Sequence, residues 1–319
     1  MINFMNTVKG SYVEGFYPEG WDMERVDACC SHSPEEILER QASWHDDFIP
    51  VQVDDVQDMY VMLGHEIATE IRKTREADKE LILILPVGPM GMYRWVVYFL
   101  TAWNVSMDHC HCFNMDEWAD AEGNTLDPTN AGSFQYSMEK ALYEPLGDLT
   151  VPVDQRNFAT KDNLPKYPEK IAALRAKGAR MITVYGIGRA THIAFWEPHF
   201  AAEFDTVDEW MKETYRLGAR LHPLTIEQNA FTSYKSRTGL VSCTANTIGP
   251  GLFLQSDRCL GACDGGGFRG GQMWQGQSLW MTLRYGGPEK WVPASFMPTK
   301  PGTLFFIKEL AGPLQAETN

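Results

Sequence analysis

A histidine and a glutamate lie close together in one glycine-led loop of this chain. Residues 186–198 contain His192 and Glu197, and they follow a strand-like segment at 181–185. A histidine beside a carboxylate can gain and lose a proton near neutral pH, which is what general acid and base catalysis require. A histidine with a purely structural role is the alternative. The loop therefore predicts proton transfer to or from a small polar molecule.

A second loop carries two adjacent carboxylates, Asp116 and Glu117, after the apolar segment 105–113. Adjacent side chains of an extended chain point in opposite directions, so we expect only one of the two to face a shared pocket. An aspartate held at a strand end, with a pKa near neutrality, can take a proton from a carbon next to a carbonyl or imine. A solvated acidic turn is the alternative, because acidic side chains are mostly exposed.

The two loops are connected to alternating strands and helices, which determine where the loops lie. Apolar residues recur at helical spacing over 56–71, and the apolar run 81–85 is typical of a strand buried on both faces of a parallel sheet. Loops at the carboxyl ends of such strands bind ligands in open α/β sheets. The pattern predicts a doubly wound α/β fold, with a mostly parallel sheet and helices on both faces. The other predicted elements are helices at 92–102, 133–143, 167–177 and 206–217 and strands at 105–113, 181–185, 252–255 and 304–307.

Composition and charge argue against two classes of partner. Of the 319 residues, 44% are hydrophobic and 22% are charged, as is usual for a globular protein, and the net charge is -14. Nucleic acid is a poor match, because its binding depends mainly on Lys and Arg contacts to phosphate. The net negative charge also argues against binding to an anionic membrane surface. The longest apolar stretch, 95–105, is too short to span a bilayer.

Cysteine content and the N-terminus predict a cytoplasmic protein. The seven cysteines are an odd number scattered through a large chain, which fits reduced thiols rather than a disulfide framework. The N-terminus has no basic region followed by an apolar core, so no signal peptide is recognised.

Residues 1–48 are predicted to form an N-terminal extension to a domain that spans 49–319. The extension is rich in glycine, aromatic and acidic residues and lacks strand-like alternation. One helix is expected after Ser33, because a capping serine is followed by Pro34 and by Glu36. We expect this segment to pack on the domain or on a neighbouring subunit rather than to perform chemistry.

The two loops resemble the signature loops of the glucosamine-6-phosphate deaminase (isomerase) family. Residues 113–117 read Phe-Asn-Met-Asp-Glu, and residues 186–198 follow the pattern Gly-x-Gly-x-x-x-His-Ile-Ala-Phe-x-Glu-Pro. Weaker similarity runs from about residue 48 to the C-terminus. The resemblance implies that Asp116 is the base that moves the C2 proton of the sugar. It also implies that His192 and Glu197 assist opening of the pyranose ring.

The resemblance further implies a sugar or sugar phosphate as substrate and a reaction that needs neither a metal nor an organic cofactor. The implied products are a ketose phosphate and ammonia. Family members are often oligomeric, so assembly into a homo-oligomer stays open. The residues expected to contact the substrate are Gly88, Gly91, Glu117, Ser133 and Arg269.

Two further functions stay open. A 6-phosphogluconolactonase-like hydrolase shares the fold and the histidine and would use His192 to activate water. Its loops, however, usually lack the Phe-x-Glu-Pro and Asn-Met-Asp-Glu sequences. A non-catalytic sugar-binding relative is the other alternative, because Ala190 stands where the family has an aspartate.

Three departures from the family leave the substrate undecided between a phosphorylated and an unphosphorylated sugar. The family's histidine loop reads Asp-Gly-His, but this chain has Ala190 and Thr191 before His192, so a carboxylate that orients the imidazole is missing. The family's phosphate turn, Thr-Gly-Gly-Thr-Pro, is replaced by Pro-Val-Gly-Pro-Met-Gly at 86–91. The family's Gly-Ser-x-Lys segment ends here in Asp264 instead of lysine. The candidates to supply a cation for a phosphate are Arg269, Lys235, Arg237 and Arg94.

Two remaining motifs are expected to be structural. The residues at 109–112 read His-Cys-His-Cys, which places both histidines on one face of a predicted strand and both cysteines on the other. A structural zinc usually needs four ligands from two clusters, so a buried strand is favoured and no metal is expected. The glycine-dense stretch 264–271 does not follow the strand, G-x-G-x-x-G and helix order of a dinucleotide site. We expect a mobile loop near the pocket.

Overall fold

A seven-stranded sheet forms the centre of the computed structural model, which describes residues 5–265 and 273–311. The ten strands of the structure are β1 Phe48–Val53, β2 Leu81–Leu85, β3 Cys110–Asn114, β4 Asp116–Trp118, β5 Arg156–Asn157, β6 Arg180–Gly186, β7 Tyr215–Arg220, β8 Thr244–Ile248, β9 Arg258–Cys263 and β10 Gly302–Ile307. In the central sheet the order is β1, β10, β9, β6, β2, β3 and β5, and all neighbouring pairs are parallel. The predicted doubly wound α/β fold is therefore confirmed.

Helices cover both faces of this sheet. The α-helices are α1 Met23–Cys30, α2 Val56–Glu76, α3 Tyr93–Trp103, α4 Phe134–Met138, α5 Glu144–Leu146, α6 Tyr167–Ala176, α7 Val207–Trp210, α8 Pro223–Ser233, α9 Pro250–Phe253 and α10 Gly276–Arg284. The apolar strand β2 shows how the two faces are filled. Leu83 belongs to the buried cluster that includes α2 and α3, and Ile82 belongs to the cluster on the other face, which includes α6 and α10. Both side chains are almost completely buried, as expected of a central parallel strand.

A smaller antiparallel sheet, in the order β4, β8 and β7, lies beside the carboxyl end of β3. Strand β4 begins only two residues after β3 ends, so it carries the chain directly from one sheet to the other. This connection places the predicted Asp116 loop within regular secondary structure. A carboxylate on a strand is held more rigidly than one on a free loop.

Two predicted elements are wrong. The segment 206–217 was expected to be one helix, but it forms only α7, which a capping box of Thr206 and Glu209 begins. The chain then enters β7, because Tyr215 and Arg216 pair with β8. The predicted strand at 252–255 does not form, because its first two residues end α9, whose Pro250 stands at the first helical turn. In both segments the spacing of a few apolar residues could not distinguish a helix from a strand.

The N-terminal segment packs on the rest of the chain. Helix α1 contacts α10, and the indole of Trp21 donates a hydrogen bond of 2.7 Å to the carbonyl oxygen of Trp291. The capping box at Ser33 forms as predicted, but only a single 3₁₀ turn, Glu36–Leu38, follows it. The domain boundary at residue 48 stays a prediction.

The His-Cys-His-Cys strand directs its side chains to two different environments. Cys110 and Cys112 are fully buried, whereas His109 and His111 are half-buried, and His111 Nε2 lies 3.1 Å from a carboxylate oxygen of Glu80. All seven cysteines are free thiols. The described residues contain no cluster of three side chains suited to hold a metal. Among the same residues, no helix has the length and hydropathy needed to cross a membrane.

Candidate active site

A cavity of about 710 Å³ lies at the carboxyl ends of the four neighbouring strands β9, β6, β2 and β3. Its wall includes Asp264 after β9, His192 after β6, the turn after β2 and Asp116 after β3. The strand order reverses between β6 and β2, and crevices at such points are the usual ligand sites of open α/β sheets. A second cavity of about 700 Å³, along β7, contains none of the residues predicted to perform chemistry.

Asp116 is a buried carboxylate on the cavity wall. It begins β4 and pairs with Thr247 of β8, and only 7% of its surface is exposed. Burial, and secondarily the charge of Glu117, raise the pKa of Asp116 well above its ordinary value. A carboxylate with a raised pKa is a stronger base than a solvated one once it is ionised. Asp116 therefore has the position and the basicity to accept a proton from a bound molecule.

Glu117 points away from the cavity, as expected for the neighbour of Asp116 on a strand. Its carboxylate accepts hydrogen bonds of 2.9 Å from the backbone N–H groups of Trp118, Phe134 and Gln135. Burial raises the pKa of Glu117, although the three amides oppose the shift. Two of these amides belong to the first turn of α4, so Glu117 anchors the start of that helix. The substrate contact expected of Glu117 stays a prediction.

His192 lies in a loop that is almost completely buried. The loop closes on itself through hydrogen bonds between Gly188 and His192 and between Thr191 and Gly188. Gly188 is packed against the imidazole, since a Cβ atom added there would lie 2.0 Å from His192 Nε2. Because Gly188 and His192 both line the cavity, this glycine leaves room for the Nε2 edge of the ring.

Two side chains hold the other edge of the imidazole. His192 Nδ1 lies 2.9 Å from Thr225 Oγ1 and 3.5 Å from Glu197 Oε2. Ionised Glu197 can only accept hydrogen bonds, so this arrangement favours a proton on Nδ1 and leaves the Nε2 lone pair for the cavity. The sequence leaves Glu197 as a partial substitute for the orienting aspartate that Ala190 replaces. In the structure both Glu197 and Thr225, the latter from α8, lie next to the same imidazole nitrogen.

Glu197 is a fully buried carboxylate that remains acidic. Burial opposes its ionisation, but the neighbouring imidazole of His192 and the hydroxyl of Thr225 outweigh that effect and lower its pKa. Its Oε1 atom accepts a hydrogen bond of 3.2 Å from the backbone N–H of His222, which caps α8. The positive end of the α8 dipole lies beside this carboxylate and favours the charged form.

His222 is a neutral histidine at the beginning of α8. Its Nδ1 atom accepts a hydrogen bond from the backbone N–H of Leu224, which requires an unprotonated nitrogen. Burial lowers the pKa of His222 to about 4, although the charge of Glu197 opposes the shift. His222 therefore caps the helix that contains Thr225 and is uncharged at neutral pH.

A hydrogen bond and a pair of packed aromatic rings connect the loop that contains His192 to the small sheet that contains Asp116. The backbone N–H of Phe195 donates to Thr247 Oγ1 at 3.0 Å, and Thr247 is the partner of Asp116 in the small sheet. The ring of Phe195 packs against Trp118 with 4.8 Å between centroids, and both rings line the cavity. The relative positions of Asp116 and His192 are therefore set by packed, buried elements.

The backbone of the histidine loop is strained next to His192. Thr191 has a φ of 63°, in the left-handed region that a β-branched residue rarely adopts. Its side chain is fully buried, and its hydroxyl has no hydrogen-bond partner among the described residues. Such strain persists only where surrounding structure enforces it, and it is concentrated at functional sites.

The remaining residues expected to contact the substrate occupy different environments. Gly88 lines the cavity, whereas Gly91 lies against the ring of Tyr60. Ser133 is fully buried and caps α4, because its hydroxyl accepts a hydrogen bond from the backbone N–H of Tyr136. Arg269 lies outside the described residues. Arg94, Lys235 and Arg237 do not line the cavity.

Sequence reasoning did not find two residues that support this site. Thr225 contacts His192 from 33 positions away and lies in the first turn of α8, which was not predicted. Gln275 joins two loops of the wall, because its amide donates to the Ile187 carbonyl at 2.8 Å and accepts from Gly265 at 2.7 Å. No local pattern predicts such contacts between distant segments.

Comparison with known proteins finds relatives in one enzyme family. The chain is 29% identical over 134 residues to a glucosamine-6-phosphate deaminase of Caenorhabditis elegans, covering 41% of this chain and 48% of the relative. It is 25% identical over 199 residues to that of Treponema denticola, covering 60% and 65%. It is 32% identical over 124 residues to that of Porphyromonas gingivalis, covering 38% and 45%. The chain thus spans less than two thirds of each of these relatives. No protein-family model matches it.

Solved structures share the fold over most of the chain. A monomeric glucosamine-6-phosphate deaminase superimposes with a TM-score of 0.64 at 20% identity, covering 83% of this chain and 98% of that structure. A 6-phosphogluconolactonase from Thermotoga maritima superimposes with a TM-score of 0.53 at 16% identity, covering 82% and 99%. At these identities the likeness concerns the fold and leaves the reaction to be argued from the site.

Proposed function

Because the chain is a divergent relative of the glucosamine-6-phosphate deaminases, we propose that it is a sugar isomerase or deaminase. It opens the ring of an aldose or 2-amino-aldose and then removes the proton from C2. One observation carries the proposal: a buried carboxylate, Asp116, and a histidine backed by a carboxylate, His192, face the same cavity. An aldose-to-ketose shift needs these two groups, a base for carbon and a proton carrier for oxygen.

Ring opening is assigned to His192. Its Nε2 atom takes the proton from the anomeric hydroxyl and returns it to the ring oxygen as the bond between C1 and that oxygen breaks. The imidazole is positively charged between these transfers, and ionised Glu197 stabilises that state from 3.5 Å. Thr225 holds Nδ1 so that Nε2 keeps facing the sugar.

Proton transfer at carbon is assigned to Asp116. The ionised carboxylate takes the C2 proton of the open-chain sugar, the electron pair forms a double bond between C1 and C2, and the aldehyde oxygen takes up a proton. The hydroxyl or amine on C2 then loses a proton as Asp116 returns its own proton to C1, which leaves a carbonyl or an imine at C2. An aldose becomes a ketose without a net change in atoms. A 2-amino-aldose becomes a 2-imino sugar, and water converts this imine to a ketose and ammonia. Burial raises the pKa of Asp116, so its carboxylate is a stronger base than that of a solvated aspartate and its protonated form can return the proton to carbon.

Product formation tests this proposal. The protein is incubated at pH 7.5 with glucosamine, glucosamine 6-phosphate, glucose and glucose 6-phosphate, and ketose and ammonia are measured. We expect ketose from at least one of them, with ammonia in an equal amount if the substrate carries an amine. Replacement of Asp116 by Asn keeps the shape but removes the base, so ketose formation should fall at least about 100-fold.

Exposed Asp162 provides a matched control, because Asp162→Asn removes the same charge at the surface. That variant should keep the wild-type rate. Hydrolysis of a sugar-acid lactone that survives Asp116→Asn, without ketose from any aldose, would contradict the isomerase proposal and favour a lactonase. Binding of sugars without any turnover would favour a non-catalytic role.

A further inference from the structure

A partly exposed phenylalanine forms part of the cavity wall near Asp116. Phe134 is the first residue of α4, and Ser137, one turn later on the same face of the helix, also lines the cavity. Helix α4 contacts β4, the strand that Asp116 begins. The ring of Phe134 therefore lies next to the strand that carries the proposed C2 base.

Two more deeply buried rings pack against Phe134. The ring centroids of Trp118 and Phe195 lie 5.2 Å and 6.0 Å from that of Phe134, and 4.8 Å from each other. All three residues line the cavity, and we call them the aromatic wall. Trp118 and Phe195 are only 5% and 4% exposed, so Phe134 presents the most surface of the three.

The aromatic wall reaches from one proposed catalytic group to the other. Trp118 is two residues after Asp116 on β4, so both side chains are on the same face of that strand. The centroid of the Phe195 ring lies 5.8 Å from that of the His192 imidazole. A sugar that spans the distance between Asp116 and His192 therefore lies along the aromatic wall.

Glu117 fixes the backbone of Phe134. Its Oε1 atom accepts a hydrogen bond of 2.9 Å from the N–H of Phe134, and its Oε2 atom accepts one of 2.9 Å from the N–H of Gln135. Glu117 directly follows Asp116 in the chain and points away from the cavity, towards α4. One strand thus holds the proposed base on one face and the first turn of α4 on the other.

An aromatic face is suited to one side of a sugar. Each face of a sugar ring is formed largely by C–H bonds, whereas most of the hydroxyls lie around its edge. The face of an aromatic ring is negative, so weakly positive C–H groups pack on it favourably. Apolar surface that is exposed to water in a cavity gains free energy when a ligand covers it. The exposed part of Phe134 therefore favours a ligand with an apolar face.

We propose that the aromatic wall binds the C–H face of the sugar, with Phe134 as the ring that the sugar covers and Glu117 as the residue that positions this ring. The inference rests on the proposed sugar chemistry. It assigns the contact that orients the carbon skeleton between Asp116 and His192. Glu117 then acts on the substrate through Phe134 and does not touch it.

Removal of the ring tests the role of Phe134. KM and kcat for ketose formation are measured with glucosamine, glucosamine 6-phosphate, glucose and glucose 6-phosphate. Phe134→Leu keeps an apolar side chain but removes the aromatic face, so KM for the active sugar should rise about three- to tenfold, with a smaller change in kcat. Phe134→Tyr keeps the aromatic face and should restore KM.

Phe99→Leu provides the matched control. Phe99 is also a partly exposed ring in an aromatic group, but it lies on α3 and does not line the cavity. This variant should leave KM unchanged. An unchanged KM in folded Phe134→Leu, or a rise that Phe134→Tyr does not reverse, would overturn the assignment of Phe134.

A double-mutant cycle tests the role of Glu117. Glu117→Gln removes the charge that holds the amides of α4, so KM should rise by no more than it does in Phe134→Leu. If Glu117 acts through Phe134, the double variant should have the KM of Phe134→Leu alone. Increases in KM that multiply in the double variant would overturn the positioning role. The readout is KM because Glu117 also affects the pKa of Asp116, and hence kcat.

Direct binding separates failure of this proposal from failure of the proposed function. Saturation-transfer NMR of the Asp116→Asn variant, with irradiation of the aromatic protons, reports contact between rings and sugar protons without turnover. If the wild-type protein forms no ketose from the four sugars, the isomerase proposal fails, but saturation of sugar C–H protons that Phe134→Leu weakens would still support the aromatic wall. Saturation that Phe134→Leu leaves unchanged, or no binding of any of the four sugars, would overturn it.

Discussion

Gly188→Ala tests whether the position of His192 controls the reaction. The added methyl would lie 2.0 Å from Nε2 and 2.1 Å from Cε1 of the imidazole. An ordinary contact is 3.4 Å, so Nε2 must move by about 1.4 Å. The ring cannot move freely, because Thr225 and Glu197 hold its other edge and only 5% of the residue is exposed.

A displacement of this size has two separable consequences. A misplacement of about 1 Å in a catalytic group can lower a rate 100-fold, so we expect kcat/KM for ketose formation to fall by about that factor. Overpacking of a buried site costs about 1–3 kcal/mol, so the free energy of unfolding should also decrease by that amount. The loss in transition-state stabilisation is about 2.7 kcal/mol for a 100-fold fall in rate.

Gly239→Ala provides the matched control, because a methyl added there meets no atom within 4 Å. It should change neither the rate nor the free energy of unfolding by more than a small amount. Ketose formation and urea unfolding are measured on the wild-type protein and both variants. If Gly188→Ala loses stability but keeps kcat/KM within threefold of wild type, the reasoning that Nε2 must stay in its present position is refuted.

Three further predictions concern single side chains. Thr225→Val removes the hydroxyl at His192 Nδ1 without changing the shape of the side chain, so kcat should fall about 10- to 100-fold and its dependence on pH should change. Thr225→Ser keeps the hydroxyl and should restore both the rate and its pH dependence. An unchanged pH dependence of kcat in Thr225→Val would contradict a positioning role for Thr225. Asp116→Asn should stabilise the protein at pH 8 more than at pH 5, because burial raises the folded-state pKa of Asp116. The contribution of Asp116 to stability is fully present below about pH 4, the unfolded-state pKa, and is lost as the pH rises through the folded-state pKa. Thermal unfolding at both pH values measures the difference, and an equal effect at both would oppose the burial argument. Ser133→Ala should lower the free energy of unfolding by about 0.5–2 kcal/mol, because its hydroxyl caps α4 at Tyr136; unchanged urea unfolding would argue against the cap.

The central sheet could be predicted because its strands are locally distinctive. The run of five apolar residues in β2 and the segment at β6 are buried on both faces, and neither depends on a distant partner to be recognised. The strand at 252–255 and the helix at 206–217 were wrong for the opposite reason. In each segment, pairing or capping with neighbouring residues decided the element, and a few apolar residues alone could not.

The sequence identifies the side chains of the candidate site, but it does not predict how they are arranged in space. The opposite directions of Asp116 and Glu117 follow from strand geometry alone, and the structure confirms that only Asp116 lines the cavity. The hydrogen bond between His192 and Thr225 joins residues 33 positions apart, and that between Phe195 and Thr247 joins residues 52 apart. Such contacts depend on how whole elements pack, which a local pattern does not contain.

The role of Asp116 as the base for C2 is the central claim, and exchange of the C2 proton with solvent tests it most directly. The active aldose is incubated in D₂O with wild-type protein or with Asp116→Asn, and loss of the C2 proton signal is followed by NMR. The account predicts exchange by the wild type and a rate at least about 100-fold lower in the variant. Exchange within tenfold of the wild-type rate in a folded Asp116→Asn protein would contradict it.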